Sequence, residues 1–252
     1  TWSRAVCSRC SMTTSMCKPD ARDERMKSCR LSTAAPAHAV LADAATAARV
    51  GRTCATLQQA ASARVGDPRC QDAIVITNRA LVHGDFLTQM ARVLSFHPHA
   101  VILREKDLPD EAYEALARAL LPMCSAAQVP CFLHGRIALA EKLGCRRIHL
   151  PLAALEPQTL ASHFDEISVS CHSMEDVQRA VAGGATQIVL GTIFETECKK
   201  GLKGRGLDFV REVSAACPIP VYAIGGITLE RIPLMQQAGA AGGCMMSGFM
   251  TM

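Results

Sequence analysis

The chain has 252 residues, of which 49% are hydrophobic and 20% are charged, so a large buried core is feasible and global disorder is excluded. The length is typical of a single (β/α)8 barrel. Aromatic residues make up only 4%, and the net charge is +4, so neither value indicates a nucleic-acid partner. No apolar run is long enough to span a bilayer, and no membrane partner is predicted.

Charge is distributed unevenly along the chain. Residues 1–70 carry 11 Lys and Arg against 5 Asp and Glu, whereas residues 71–252 carry 16 against 18. This shift predicts an N-terminal extension that ends near residue 70 and a main domain after it. Residues 1–37 have no periodic apolar pattern and are predicted to be poorly ordered. The Ala-rich residues 38–65 predict one or two helices, broken near Gly51.

The cysteine pattern predicts a reducing, cytoplasmic location. The chain has 13 cysteines, and several of them, such as Cys131 and Cys244, lie in apolar strand-like runs typical of buried free thiols. Cys7 and Cys10 form a C-x-x-C pair. A zinc site of that type needs a second close pair, which the sequence does not contain, so no metal site is predicted.

From residue 73 onward, short apolar runs alternate with amphipathic helix patterns. Predicted helices include Asp110–Ser125 and Ser173–Ala182, and the second opens with a capping signal, Ser173 with Asp176. Strands that alternate with helices predict a parallel sheet, and eight of them predict a closed (β/α)8 barrel. An open doubly wound sheet is the alternative. The eight predicted strands are Ala73–Thr77, Ala100–Arg104, Pro130–His134, Arg147–Leu150, Ile167–Ser170, Gln187–Gly191, Pro220–Ile224 and Gly243–Ser247.

The last helix of such a barrel has no counterpart in the sequence. Only five residues follow the eighth predicted strand. Two explanations are open: the chain is cut short at this point, or residues 38–65 take the place of the missing helix.

Candidate functional residues lie where the predicted strands end, since barrels of this type place their chemistry there. Arg104 and Lys106 share one face of the second strand, which predicts two cations at the barrel mouth. His134, His149 and His172 lie at or just after strand ends. Each is a candidate for acid–base chemistry or for a structural hydrogen bond.

Two glycine-containing turns predict a phosphate site. Gly225 and Gly226 follow the seventh strand, and Met246 and Ser247 end the eighth; loops after these two strands often bind phosphate. The cationic, glycine-rich residues 191–206 predict a loop that closes over an anionic substrate.

These motifs resemble the thiamine phosphate synthase/TenI family, and the resemblance covers about residues 73–252. The run F-E-T-E-C-K-K-G-L-K-G-R-G, from residue 194, is especially similar to the TenI-like branch. The other matching segments are I-T-N-R at 76–79, L-R-E-K at 103–106, I-H-L-P at 148–151, S-V-S-C-H-S at 168–173, A-I-G-G-I at 223–227 and M-M-S-G at 245–248.

The resemblance implies a (β/α)8 barrel that acts on thiazole phosphate in thiamine biosynthesis. It also implies a role for each matching position. Arg104 and Lys106 would face the diphosphate or pyrimidine side, and Ser170 would lie near the reacting centre. The anion would be covered or held by Lys199, Gly225, Gly226, Met246 and Ser247.

The sequence departs from both branches of the family at a key position. The synthase branch uses Mg²⁺, but its N-D pair is replaced by His134-Gly135 and its G-Q-x-D by residues 151–154, which lack a carboxylate. No cofactor is therefore expected for a tautomerase or a binder. Mg²⁺ is expected only if the chain is a synthase. The tautomerase branch uses a histidine where this chain has Thr192.

Three functions stay open. The favoured one is a TenI-like thiazole tautomerase whose base is relocated, to His172 or His134. The second is a thiamine phosphate synthase that condenses hydroxymethylpyrimidine diphosphate with thiazole phosphate. The third is a non-catalytic phosphate-ligand binder or regulator. The partner is a small molecule in each case, and the sequence leaves open whether the chain forms a homo-oligomer.

Overall fold

Eight parallel strands form a closed barrel in a computed structural model, which describes residues 44–61, 67–155, 162–196 and 203–252. Each strand pairs with the next one in the chain, and the eighth pairs with the first. The barrel prediction is confirmed, and each predicted strand is found within two residues of its predicted ends. The strands are β1 Ala73–Ile76, β2 Ala100–Leu103, β3 Cys131–His134, β4 Arg147–Pro151, β5 Glu166–Cys171, β6 Gln187–Gly191, β7 Val221–Ile224 and β8 Gly242–Met245.

Helices surround the barrel and confirm the predicted βα alternation. The predicted cap of the helix that begins at Met174 is present, since the hydroxyl of Ser173 accepts the backbone N–H of Asp176 at 3.1 Å. Asp85 caps the helix that begins at Phe86 in the same way, through the N–H of Thr88. The described helices are α1 Ala44–Ala61, α2 Phe86–Leu94, α3 Asp110–Ala126, α4 Ile137–Lys142, α5 Met174–Ala182, α6 Gly206–Ala216, α7 Ile232–Gln237 and α8 Ser247–Met250.

Alternation along each strand divides the core into two layers. Successive side chains of a strand point to opposite faces, so one set fills the barrel and the other packs against the helices. The inner set is a small apolar cluster made of Ile74, Ile76, Ala100, Ile102, Phe132, Val189, Tyr222 and Cys244. The outer set joins the helices in the larger core. The same alternation decides which residues at the strand ends face the barrel mouth.

Helix α1 runs without interruption through Gly51, so the predicted break near that residue is wrong. Glycine costs about 1 kcal/mol in a helix interior, and packing elsewhere on the helix outweighs that cost. Leu57 is buried in the barrel's outer core, with Val50 and Cys54 packed beside it. The helix is therefore held by tertiary contacts on the face that carries these residues.

Helix α1 does not occupy the place of the missing last helix. It packs mainly on α3 and to a smaller extent on α2, which flank β2, whereas the missing helix would lie near β8 and β1. The prediction that residues 38–65 replace that helix is therefore wrong for the described part. Only the four-residue α8 follows β8. Helix α1 belongs to the same compact unit as the barrel, and the boundary near residue 70 stays a prediction.

Some predictions fall outside the described residues. These are the poor order of residues 1–37 and the C-x-x-C pair of Cys7 and Cys10. Where cysteine side chains are described, they are free thiols, and Cys131 and Cys244 are buried as predicted. Among the described helices, none is both long and apolar enough to cross a membrane.

Truncating Leu57 tests the packing of α1. Because the side chain is only 4% exposed, Leu57→Ala should lower the free energy of unfolding by about 2 kcal/mol or more. Urea unfolding followed by circular dichroism measures the change. Gln59→Ala, at an exposed site on the same helix, is the control and should stay within about 0.5 kcal/mol of the parent. Equal stability of both variants would show that α1 does not pack on the barrel.

Candidate active site

The barrel mouth brings together most of the candidate residues. Strand register places His134 beside His149, and Ser170 beside Pro151, at the C-terminal ends of β3, β4 and β5. The positive charge of Arg104 acts on both histidines. Candidates that lie far apart in the sequence thus line one opening, as the barrel prediction requires.

His149 is held between two serines and is not available as a base. Its Nδ1 lies 2.8 Å from the hydroxyl of Ser168 and its Nε2 lies 2.9 Å from the hydroxyl of Ser170. Burial, with His134 and Arg104 nearby, lowers the pKa of His149 to about 3. The ring is therefore neutral at pH 7, and its role is to orient Ser170.

His134 is also neutral, but for a partly different reason. Burial lowers its pKa to about 4, and the charges of Arg104 and Lys106 contribute to the shift. Its backbone N–H donates to the hydroxyl of Tyr113 at 3.1 Å, and that hydroxyl donates to the carbonyl of Leu103 at 2.7 Å. The side chain thus lies in a region of positive potential, which favours an anionic ligand over a cation.

His172 differs from the other two histidines because its side chain is exposed, and among the described residues its ring contacts a backbone carbonyl through Nδ1. Nδ1 lies 2.6 Å from the carbonyl oxygen of Gly191. Because a carbonyl can only accept, we assign the ring proton to Nδ1, which leaves the lone pair on Nε2. Arg205 donates to the backbone carbonyl of His172 at 2.7 Å and steadies this turn. The His172 ring is therefore exposed and oriented by the end of β6 rather than by serine hydroxyls.

The two predicted phosphate turns lie side by side. Strands β7 and β8 are neighbours, with Ile224 paired to Cys244, so the turns that follow them are adjacent. Gly225 and Gly226 have φ angles of +105° and +63°, which favour glycine, and Ser247 is exposed at the start of α8. The turns thus have the arrangement predicted for an anion site.

Thr192 lies against the first of these turns. A Cβ built on Gly225 would stand 2.5 Å from the Thr192 methyl carbon, so the two residues are in close contact. The position at which the resemblance implies a histidine in the tautomerase branch is therefore next to the glycine turn. Lys199, predicted to cover the anion, lies outside the described residues.

The segment Arg104-Glu105-Lys106 divides its charges between two faces. Glu105 is only 3% exposed, and its carboxylate accepts the backbone N–H of Arg79 at 3.1 Å. Lys106 and His134 line a cleft of about 560 Å³ beside the mouth. Glu105 also lines this cleft, but its carboxylate is occupied by Arg79, whereas Lys106 is exposed.

Comparison with known proteins identifies the family to which the barrel belongs. A sequence model of the family described as thiamine monophosphate synthase matches residues 73–249. The chain belongs to this family. The thiamine-phosphate synthase of Azoarcus sp. (strain BH72) is 30% identical over 176 residues, which cover 68% of this chain and 85% of that protein. The thiamine-phosphate synthase of Thermus thermophilus is 33% identical over 156 residues, covering 61% and 76%.

A solved structure supports the fold. The thiamine phosphate pyrophosphorylase from Pyrococcus furiosus aligns with a TM-score of 0.63 and 22% identity, and the alignment covers 74% of this chain and 91% of that chain. The family resemblance and the barrel predicted from the sequence are both confirmed.

The described residues do not fit the magnesium ion that the family resemblance implies for a synthase. Within the described ranges, no group of three or more His, Cys, Asp and Glu side chains could hold a metal. Glu105 and Asp110, which line the cleft, form ion pairs with Arg79 and Arg136, and Asp107 also pairs with Arg79. The cations beside His134 also oppose a divalent ion.

Two partners of the site were missed by sequence reasoning. Ser168 binds His149 from inside the barrel, and Tyr113 of α3 connects the ends of β2 and β3. The spacing S-x-S in S-V-S could have indicated that Ser168 and Ser170 share a face. Nothing in the sequence pattern points to Tyr113, because its contact depends on how α3 lies on the sheet.

The neutral state of His149 predicts a specific pH dependence of stability. Its pKa is about 3 in the folded chain and about 6.5 when unfolded, so the unfolded state binds more protons between these values. Stability is therefore lost as pH falls from about 6.5 towards 3, by at most about 1.4 kcal/mol per pH unit from this group. His149→Gln should flatten that slope, as measured by urea unfolding at several pH values.

The exposed His83 provides the control for this test. His83→Gln should leave the pH slope unchanged. If His149→Gln keeps the slope of the parent chain, the burial of a neutral His149 is contradicted.

Proposed function

We propose that this chain is a thiamine-phosphate synthase that joins hydroxymethylpyrimidine diphosphate to thiazole phosphate at the barrel mouth. The observation that carries the proposal is the pair of cations, Arg104 and Lys106, beside the neutral His134. Two phosphorylated substrates require such a positive region. The names of the relatives support this reaction over the tautomerase that the sequence motifs favour.

The proposed reaction needs charge stabilisation more than acid–base chemistry. The thiazole nitrogen forms a bond to the methylene carbon of the pyrimidine, and the bond from that carbon to the diphosphate oxygen breaks. The electron pair stays on the departing diphosphate, which leaves as an anion. Arg104 and Lys106 would stabilise this charge, and Ser170, oriented by His149, would lie near the reacting carbon. The thiazole phosphate would occupy the turns at Gly225–Gly226 and Met246–Ser247.

Removing Arg104 tests the proposed charge stabilisation. Arg104→Gln should lower kcat for thiamine phosphate formation by about 10²-fold, because a group that stabilises the departing charge typically contributes that much. Release of diphosphate measures the rate. Arg92→Gln removes an exposed arginine from α2 and serves as the control. Equal rates for Arg104→Gln and Arg92→Gln would contradict the assigned role.

A second candidate is the tautomerase reaction, which aromatises thiazole phosphate by moving a proton. Two observations favour it: the exposed ring of His172, which is oriented through its Nδ1, and the TenI-like run that begins at Phe194. In this reaction His172 would take up the proton, because Thr192 has no pKa near neutrality. A third candidate, a non-catalytic binder, applies if neither reaction occurs.

Substitutions at Thr192 and His172 test the second candidate. If the chain has lost the family's base, Thr192→His should raise aromatisation of the thiazole phosphate by at least about tenfold, since acid–base groups contribute about 10²–10⁴-fold. If the base has instead moved to His172, His172→Gln should abolish activity that the parent chain already has. Ultraviolet absorbance of the aromatic product measures both.

Two assays on the purified full chain distinguish the candidates. The first supplies hydroxymethylpyrimidine diphosphate with thiazole phosphate, and the second supplies only the non-aromatic thiazole phosphate. The proposal predicts thiamine phosphate in the first. Formation of the aromatic thiazole phosphate in the second assay, with no thiamine phosphate in the first, would favour the tautomerase. Binding of thiazole phosphate without product in either assay would favour the non-catalytic binder.

A further inference from the structure

The segment between β6 and α6 is closed at its base. The backbone N–H of Arg205 donates to the carbonyl of Thr192 at 3.0 Å, and that of Gly206 donates to Ile193 at 2.9 Å. These bonds join the two described ends of the segment. We call the joined stretches, residues 192–195 and 204–206, the neck.

The neck is fastened to the glycine turn that follows β7. The N–H of Phe194 donates to the carbonyl of Gly225 at 3.0 Å. The guanidinium of Arg231 stacks on the Phe194 ring, 4.5 Å from its centre, and donates through Nη1 to the carbonyl of Gly226 at 2.5 Å. Two successive carbonyls of the turn are therefore held by the neck and by Arg231.

Holding a carbonyl fixes the direction of the N–H that follows it. In a trans peptide the C=O of one residue and the N–H of the next point in opposite directions. The carbonyls of Gly225 and Gly226 point towards Phe194 and Arg231. The Gly226 N–H consequently points away from Phe194. The Ile227 N–H points away from Arg231, and two successive N–H groups directed in this way can bind an anion.

We propose that Arg231 is a positioning residue of the phosphate site, which sets the two N–H groups for an anion by holding the turn against the neck. This inference rests on the proposed binding of thiazole phosphate. Arginine suits the role because a planar guanidinium can stack on an aromatic ring and donate a hydrogen bond at once. Lysine carries the same charge but cannot do both. The proposed role is therefore geometric rather than only electrostatic.

The comparison of Arg231→Lys with Arg231→Gln separates geometry from charge. We expect both variants to bind inorganic phosphate and thiazole phosphate at least about fivefold more weakly than the parent, measured by titration calorimetry. Arg211→Gln, which removes an exposed arginine of α6 bonded to Asp208, is the control and should bind normally. Parent-like affinity of Arg231→Lys would overturn the proposal, because charge alone would then suffice.

Backbone amide shifts distinguish failure of this inference from failure of the proposed function. In the parent chain, added thiazole phosphate should shift the amide signals of Gly226 and Ile227. If it does not, the phosphate site itself is wrong, and the inference is wrong with it. If the parent responds and the Arg231 variants respond at the same ligand concentration, only the role of Arg231 is wrong.

A second variant covers the case in which the Arg231 variants do not fold. Phe194→Leu keeps the backbone N–H and removes the ring on which the guanidinium stacks. We expect it to weaken phosphate binding in the same direction. If folded Phe194→Leu binds phosphate as tightly as the parent, the proposed role of the Arg231–Phe194 contact in holding the turn is contradicted.

Discussion

Backbone pairing between β1 and β8 is the constraint on which the rest of the structure depends. The register Ala73 to Gly243 closes the barrel, and closure fixes the order of the strand ends around the mouth. Gly242 permits it, since a Cβ at that position would stand 2.0 Å from the carbonyl oxygen of Asp72. Within the closed barrel, β7 and β8 pair directly, with Ile224 opposite Cys244, so the turns that follow them are neighbours. The proposed phosphate site therefore follows from this pairing together with two short glycine-containing turns.

The mouth combines positive charge with neutral histidines, and burial links the two. His149 is buried and His134 is partly buried, and protonation of either ring would place further positive charge near Arg104 at a cost. Both rings stay neutral and can act only through hydrogen bonds, as His149 does with Ser170. The permanent charges of Arg104 and Lys106 are thus left to attract an anion. This electrostatic pattern is consistent with phosphorylated substrates. The two carboxylates that line the described cleft, Glu105 and Asp110, are already paired with Arg79 and Arg136.

The sequence predicted much of the fold but only part of the site. Alternating runs located all eight strands because each strand is short, apolar and followed by a turn. The Ser173 cap was predictable because it involves residues only three positions apart in the sequence. The continuity of α1 through Gly51 was not predictable, because it depends on packing against α3. The pairing of His149 with two serines required the register between β4 and β5, which no local pattern encodes. Strand-end positions were therefore predictable, whereas the contacts between them were not.

The two candidate reactions share one binding problem and differ in one chemical requirement. Both must hold thiazole phosphate beside the glycine turn, but the synthase must also stabilise departing diphosphate, whereas the tautomerase must move a proton. The neck is fastened on both sides: Arg205 joins it to the carbonyl of His172, and Arg231 joins it to the turn at Gly226. The same neck thus contacts both the turn that carries the candidate base and the turn of the candidate anion site, whichever reaction the mouth performs.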